Sequence, residues 1–598
     1  MLAQTGFPHM ATGVALVISC GLAAPAIADT PAALHYVPSD APIYVVVPDL
    51  GRLIGDLSAT NQALAGSLPP EAAQLGMGLF MAQMLTTQPG VETNGSAAVI
   101  IDPEGGDPDE AGPPQPSFLA ILPIDNLETF AGGPFMTGQH AQLVDGMLQT
   151  ASPDGETFYM RDIGTHAIAG VDREKVESYK PGDWMEANEK ALGASGLSQM
   201  GGGDIMLVAN IAALKGPIDE MLEQADQQVN FLAMMGGGDQ VKQFFAMYKQ
   251  AATVLQRDGS VGMVSFNVGA DGISVDLGAS FREGTPSYET FNAAGDTGPL
   301  LGAIPASDFL VAYAMDVSDE HLRGLMDAIS AMAPAQGGGD PMGLKAMVSH
   351  ATGFSGMIGS SPAALGGAGL FAKQLSYVRT DDTGAATDTM RTSMKDLNGT
   401  SMMGMTYATT YEANAAEVDG VKVDTYSLKM QADPEAAQSG MGAMFDPAMA
   451  MSLLYGMEGG PAGYVAHVDG GLYVTASKNG ELLSSAFKAA RGGAGLTANE
   501  LVAKVGSRLQ DDRFAEGYVS ADQIFNAVGP FAQMFGMIDE FKPIEPLSPI
   551  GMSARADEGG VVGRMYVPAD VIGFIAKFAQ EVNGDDAGGG DEQAEPDF

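Results

Sequence analysis

Two stretches of this chain are versions of one another, and any fold has to accommodate both. Residues 37–57 read VPSDAPIYVVVPDLGRLIGDL and residues 304–326 read IPASDFLVAYAMDVSDEHLRGLM. Each has a proline, a small polar residue and Asp, then an apolar β run and another Asp. Each ends in a segment with apolar residues three and four apart, the helical period. Four later checkpoints recur in the same order. Val144-Asp145-Gly146 is echoed by Val418-Asp419-Gly420, both turn signals between apolar stretches. Residues 157–179 are echoed by 463–487, a hairpin followed by a polar-capped helix; 204–214 by 513–525, a strand running into a helix; and 262–281 by 551–568, a hairpin. Preserved order over most of the chain points to one duplicated unit. We place repeat A at 29–296 and repeat B at 297–583, with a Met-rich insertion at 434–457 that has no counterpart in the first half.

Turn residues fix the strand direction. Ala270-Asp271-Gly272, Asp154-Gly155 and Asp469-Gly470 read as hairpin turns, and hairpins pair antiparallel. Ile273-Ser274-Val275-Asp276-Leu277 alternates apolar and polar residues, which predicts a sheet wet on one face with its apolar side inward. The helices between strands are apolar on one side and must cover the other face. The expected fold is therefore α+β: two tandem, internally duplicated domains of mostly antiparallel sheet with helices packed on one face. Four Gly-Gly-Gly-Asp tracts, starting at Gly201, Gly236, Gly337 and Gly588, read as flexible loops. Residues 102–116, DPEGGDPDEAGPPQP, read as the tip of a long hairpin.

The N-terminus addresses the chain. Residues 11–24 are apolar and are followed by Pro25 and Ala26-Ile27-Ala28 before Asp29, the pattern of a secretory signal occupying 1–28. The first ten residues lack Lys and Arg, a departure from the usual pattern. A second reading takes Val17-Ile18-Ser19-Cys20 as a lipobox, with a lipid on Cys20, the sole cysteine. Both place the protein outside the cytoplasm, periplasmic or secreted. One cysteine excludes a disulfide framework and a thiolate zinc site. No later run of about 18 apolar residues is present, so the expected membrane contact is through the lipid anchor alone. Residues 584–598 read as an acidic, glycine-rich, disordered tail.

With 29 Lys and Arg against 73 Asp and Glu, the formal charge is −44, which excludes a general nucleic-acid binder. Repulsion among so many carboxylates predicts that salt or divalent cations stabilise the fold. No catalytic motif is found. There is no G-x-S-x-G elbow, and Ser485-x-x-Lys488 lacks its partner motifs. The seven histidines, His9, His35, His140, His166, His321, His350 and His467, are dispersed without H-x-x-x-H spacing. The G-x-G-x-x-A match at Gly367 precedes a β run rather than opening a helix. Asp102, Glu104, Asp107, Asp109 and Glu110 could supply oxygen ligands to calcium and read more simply as a solvated loop. Asp49 and its repeat partner Asp316 are candidates for a hydrolytic site assembled from dispersed carboxylates, and read more simply as helix caps. Methionine, at 37 residues, is over-used. Met77, Met81 and Met84 share a helical face, Met234, Met235 and Met247 form a second group, and Met441, Met444, Met449 and Met451 lie in a third. Such residues serve core packing, a Met-lined face for an apolar ligand or partner, or Cu(I) ligation.

The opening His35-Tyr36-Val37-Pro38-Ser39-Asp40-Ala41-Pro42-Ile43-Tyr44-Val45-Val46-Val47, with Phe118 to Phe130 (FLAILPIDNLETF) and the hairpin Tyr159 to Val171, resembles exported bacterial proteins of unknown function. Their mature domains begin with a Pro-x-Asp-like turn and a β-strand. The resemblance implies mixed sheet and helix and carries over no site residues. The reading that follows is an exported, envelope-associated, non-catalytic binding or scaffolding protein of unknown ligand. The alternatives are an apolar-ligand or lipid binder working through the Met-rich segments, and a hydrolase.

Overall fold

Asp-Gly pairs set the hairpins. Asp145 and Gly146 both lie at positive φ (53° and 80°), as do Asp419 and Gly420 (51° and 77°), the backbone of a two-residue turn whose twist matches that of the flanking strands. The computed structural model describes residues 30–63, 83–84, 86–103, 116–134, 136, 141–151, 157–234, 249–324, 350–361, 369–402, 405–432, 451–452, 454–456, 459–534, 536, 538 and 540–587. They fall into two compact units. The first holds the described residues up to Tyr288 with Asp557–Val562 and those from Val567 onward; the second holds Glu289–Ala556 and Gly563–Tyr566.

In the first unit the strands are β1 (Ile43–Val47), β2 (Ala97–Asp102), β3 (Ser117–Leu122), β4 (Gln142–Val144), β5 (Met147–Ala151), β6 (Thr157–Asp162), β7 (Ala167–Gly170), β8 (Ile205–Asn210), β9 (Gly259–Gly269) and β10 (Gly272–Phe281). They pair antiparallel in the order β4-β5-β6-β7-β3-β2-β1-β8-β9-β10. The second unit has β11 (Phe309–Asp316), β12 (Gly353–Gly359), β13 (Gln374–Arg379), β14 (Ser401–Met402), β15 (Met405–Val418), β16 (Val421–Ala432), β17 (Ala462–Val468), β18 (Gly471–Thr475), β19 (Ala515–Val519) and β20 (Ile550–Asp557); β21 (Gly560–Pro568), after a two-residue turn, is divided between the two units. Its order is β14-β15-β16-β17-β18-β13-β12-β11-β19-β20, again antiparallel. Set aside the short β14, and β4 to β9 of the first unit match β15 to β20 of the second strand for strand. Equivalent hydrogen bonds fix the alignment: Asp204 N donates to Phe266 O (2.8 Å), and Phe514 N donates to Ala554 O (3.0 Å).

The helices used below are α1 (Leu50–Ala63), α2 (Arg173–Ser178), α3 (Met185–Gly202), α4 (Lys215–Met234), α5 (Thr383–Leu397), α6 (Gly480–Ala490), α7 (Glu500–Gly506), α8 (Ala521–Met534) and α9 (Ala569–Ala587). Helix ends follow capping chemistry: Asp172, Asp382, Asn479 and Asn499 each accept from a backbone N–H of the turn they open, those of α2, α5, α6 and α7. The fold is α+β. Alternate residues of β1 reach two cores. Val45 and Val47 join Leu50 and Leu53 of α1 with Val99 and Ile101, while Tyr44 and Val46 join Leu34 and the α3 residues Leu192 and Met200. In the second unit Tyr473 is wholly buried beside Phe487 of α6 and donates to Ala303 O at 2.7 Å.

Two sequence expectations need correction. The Gly201 tract is no free loop, because Gly201 and Gly202 end α3 and their carbonyls are bound, as described below. The other three tracts lie outside the described residues, as does the Asp154-Gly155 turn. The alternation in β10 is real, but its sign is reversed: Asp276 is buried (4% exposed) and Leu277 is 60% exposed.

Candidate functional site

The buried charges come first, since they are where chemistry would reside. Arg52, on α1, reaches the end of α3: its Nε donates to Asp204 Oδ1 at 3.0 Å, Nη1 donates to Gly201 O at 3.3 Å, and Nη2 donates to Gly203 O. Asp204 Oδ2 accepts from Val268 N at 2.9 Å. One helical turn further along α1, Asp56 is also buried. Burial, reinforced by the Asp204 charge and opposed by Arg52, pushes its carboxyl up to about 7. Burial likewise raises Asp204 against the opposing Val268 hydrogen bond and the Arg52 charge.

The other carboxylates singled out by sequence or burial are tied into structure. Asp49 accepts from Arg52 N at 2.9 Å and caps α1, as expected. Asp316 does not cap a helix. It ends β11 and accepts from Arg379 Nη2 (2.6 Å), Asp296 N (3.0 Å) and Ser318 N (2.9 Å). Burial opposes its ionisation, but those backbone bonds and the Arg379 charge outweigh burial and hold its carboxyl below the ordinary range. The residue capping the next helix is Asp319, which accepts from His321 N at 2.8 Å. Glu516 accepts from Arg513 Nε (2.8 Å) and from the Tyr518 hydroxyl (2.9 Å). Asp424 accepts from the Tyr411 hydroxyl (2.6 Å) and Asn414 N (2.7 Å). Asp49 and Asp316 belong to different units, and each is engaged locally.

His166 is a satisfied core histidine. Its Nε2 lies 3.0 Å from Ser96 O, which can only accept, so Nε2 carries the proton and Nδ1 accepts from the Thr165 hydroxyl at 3.0 Å. Burial lowers its pKa. His35 pairs with Asp183 at 2.8 Å on the surface. Ser485 and Lys488 are both exposed on α6. Among the described residues no group of three or more His, Cys, Asp or Glu is placed to hold a metal.

The feature that composition and motifs did not foretell is an apolar sheet face that α1 covers over β1 and reaches at β9 but leaves open at Phe266 and Leu277. In β9 and β10 the paired residues Val264 and Leu277, Phe266 and Val275, and Val268 and Ile273 share one face. Phe266 is 39% exposed, and the other four are partly open beside the exposed Leu277. The opposite face carries Ser265, Asp276, Gly278 and Ser280 beside Val261 and Met263, and this mixed side lies under α3. Register explains the inversion. A strand shifted by one residue presents its other side, and β9 is pinned to β8 through Ile205↔Phe266 and Leu207↔Val264.

The second unit opens the corresponding face at a position that is closed in the first, where Val45 and Val99 are buried. The row Val99–Val45–Leu207–Val264 of the first unit corresponds to Gly356–Tyr313–Gly517–Met552. Tyr313 (43%) and Met552 (41%) are exposed there. Helix α8 is inverted too. Asp522 and Gly529 are buried, and Asn526 exchanges hydrogen bonds with the backbone of Ile544 (3.1 and 2.9 Å). Ile524 and Val528, four residues apart on one helical face, are exposed, as is Met534. Solvent-facing apolar groups in contiguous rows are uncommon on a monomer and mark contact surfaces.

Of the methionines singled out in the sequence, Met451 is buried, while Met441, Met444 and Met449 lie outside the described residues. Met84 is half-buried, and Met77, Met81, Met235 and Met247 also lie outside them. So do Cys20, the first 29 residues, and Glu104, Asp107, Asp109 and Glu110 of the acidic loop; Asp102 ends β2 and pairs with Ser117 of β3. Among the described residues no helix is long and apolar enough to cross a membrane.

No family model matches the chain, and no curated protein matches it. Among solved structures the chain is similar to TP0453 in two crystal forms. Form I shares 9% identity at a TM-score of 0.20 over 48% of this chain and 98% of that one. Form III shares 8% identity at a TM-score of 0.21 over 47% and 98%. Likeness at that TM-score carries no argument about fold or function.

Proposed function

We propose that this chain is an exported, envelope-associated binding or scaffolding protein that works through surfaces rather than through a reaction, and that its partner is another protein. The observation that carries the reading is the outward apolar face of β9–β10, with Phe266 and Leu277 open to solvent while Asp276 and Ser280 are buried. Exposing apolar rows and burying polar ones gives up roughly 25 cal/mol for each Å² left in water, so the arrangement makes sense where something covers that face. A flat pleated face offers rows of side chains on which a helix or a second sheet packs, about 10 Å away. A charge of −44 disfavours an anionic membrane surface as the occupant.

The experiment is site-specific photo-crosslinking in cells that export the full chain, with the crosslinker at Leu277 and, as control, at the exposed Glu283. The reading expects a discrete protein adduct at 277 and none at 283. Adducts at both positions, or none at 277, overturn it. Co-sedimentation with phosphatidylethanolamine/phosphatidylglycerol vesicles, lost in Leu277→Asp, would establish the apolar-ligand alternative instead; exposed Met534, Met552 and Met565 in the second unit favour that second reading.

A further inference from the structure

Helix α3 is broken. Gly193 sits at φ 62° and ψ −179°, outside helical space and in a region open to glycine, so the helix is two pieces meeting at one residue. The first piece is anchored: Asn188 Nδ2 donates to Leu34 O (3.0 Å) and Val37 O (2.8 Å), and Leu192 is wholly buried. The second piece, residues 194–202, reads ASGLSQMGG, in which three glycines and two serines are weak helix formers. It lies on the mixed face of β9–β10, with Met200 buried in the core and Ser195 against Gly560, and its polar groups are poorly matched. Ser195 Oγ and both polar atoms of Gln199 are buried and make no hydrogen bond among the described residues. The Gln199 amide rests flat on Gly278, where a Cβ would collide with it. Leaving such groups unpaired costs about 1–3 kcal/mol each, a penalty that water would relieve if the piece lifted. At its far end the piece is held by groups outside itself: Arg52 on the carbonyls of Gly201 and Gly203, and Asn267 Nδ2 on Gly202 O.

We infer that residues 194–202 form a hinged lid. It turns about Gly193, is latched by Arg52 and Asn267, and when open bares Ser265, Asp276 and the buried Met263 on the sheet face opposite the apolar one, while Ser280 stays bonded to Leu192 O of the anchored piece. The inference stands apart from the reading of that apolar face. Hinge, latch and unsatisfied underside make this a local opening, separate from unfolding of the unit.

Amide hydrogen exchange on the full chain, followed by mass spectrometry, tests it. Amides of 195–203 are expected to exchange about 100-fold faster than those of β1, as a sub-global opening requires. Gln199→Met, which keeps length and removes the unpaired amide, should slow the lid about tenfold and leave β1 unchanged. A redox staple provides the second arm. In a Cys20→Ser background the chain has no other cysteine. A Cβ at Gly203 would lie 3.2 Å from that of Ser265, slightly short of the roughly 3.5–4.5 Å that disulfides span. Oxidised Gly203→Cys/Ser265→Cys should exchange at the rate of β1 across 195–203, and dithiothreitol should restore the fast rate. Equal rates for 195–203 and β1 in the unmodified protein, or a lid rate indifferent to the staple, overturn the proposal.

Discussion

Asp56 makes the first unit less stable as the pH rises, and Asp56→Asn should remove that dependence. The carboxyl is buried on α1 one turn from Arg52, whose charge is shared with Asp204, so a second anion there is poorly compensated. Burial first and the Asp204 charge second raise it from 3.8 to about 7. Between those two values the folded chain holds a proton that the unfolded chain has released. Stability therefore falls as pH climbs from about 4 to about 7 and is flat above. At 1.36 kcal/mol per pH unit, 3.8 to about 7 sets a ceiling of about 4 kcal/mol. Local relaxation and water entry bring the expected effect to about 2 kcal/mol. The asparagine is neutral at every pH, so the variant should match the unsubstituted protein near pH 4 and exceed it by about 2 kcal/mol at pH 8. Trp184, the only tryptophan, precedes α3 in the same unit, so urea unfolding read by its fluorescence at pH 4, 5, 6, 7 and 8 follows that unit alone. His166, whose pKa burial lowers, costs stability on acidification in both proteins and cancels in the comparison. Parallel profiles for the two proteins across this range would refute the reasoning.

Arg52→Met should cost about 3–5 kcal/mol in the same Trp184 assay, because it strands the Asp204 carboxylate and the carbonyls of Gly201 and Gly203; a loss under about 1 kcal/mol would mean that water replaces the guanidinium. Leu277→Ser should leave urea stability within about 0.5 kcal/mol, since this side chain already faces solvent. A loss of several kcal/mol would show that the apolar face is covered within the folded chain. Raising salt from 10 mM to 0.5 M shortens the screening length severalfold and should raise the melting temperature, with millimolar calcium acting in the same direction, given a charge of −44. An unchanged melting temperature in both would leave repulsion with no part in stability.

What could be read from the sequence was local chemistry, and what could not was sign and distance. The turn pairs Asp145-Gly146 and Asp419-Gly420 are legible because only a few residue types accept positive φ twice in succession, and they mark equivalent hairpins in the two units. Alternation in Ile273–Leu277 gives a period of two but no preference for which face is covered. That choice falls to the pairing of β9 with β8 and to α3, both remote in sequence. The Arg52–Asp204 pair joins residues 152 apart, so neither a glycine tract nor a lone arginine announces it. Asp316 misled for a similar reason: its place after an apolar run suggests a cap, while Arg379 on another strand turns it into a buried ion pair.

The two units also differ in an instructive way. At the position where Asp204 receives Arg52, the second unit has Phe514, which makes the equivalent backbone bond and brings no charge. The helix after β11 carries an arginine of its own, Arg323, whose Nε is buried with no hydrogen bond among the described residues. The second unit sets its buried charge elsewhere, in Asp316–Arg379 and Arg513–Glu516. Pairing order has thus been kept while the polar interior was rewritten, the pattern expected if one ancestral unit was copied and each copy then drifted. Had the buried carboxylates been the working parts, they would be the positions least free to change between copies. The same sheet face opens at different positions in the two units, at Phe266 and Leu277 beside the buried Val45 and Val99 in one and at Tyr313 and Met552 in the other. Contact through that face is therefore the property to test in each unit separately, with Tyr313 and Met552 probed as Phe266 and Leu277 are.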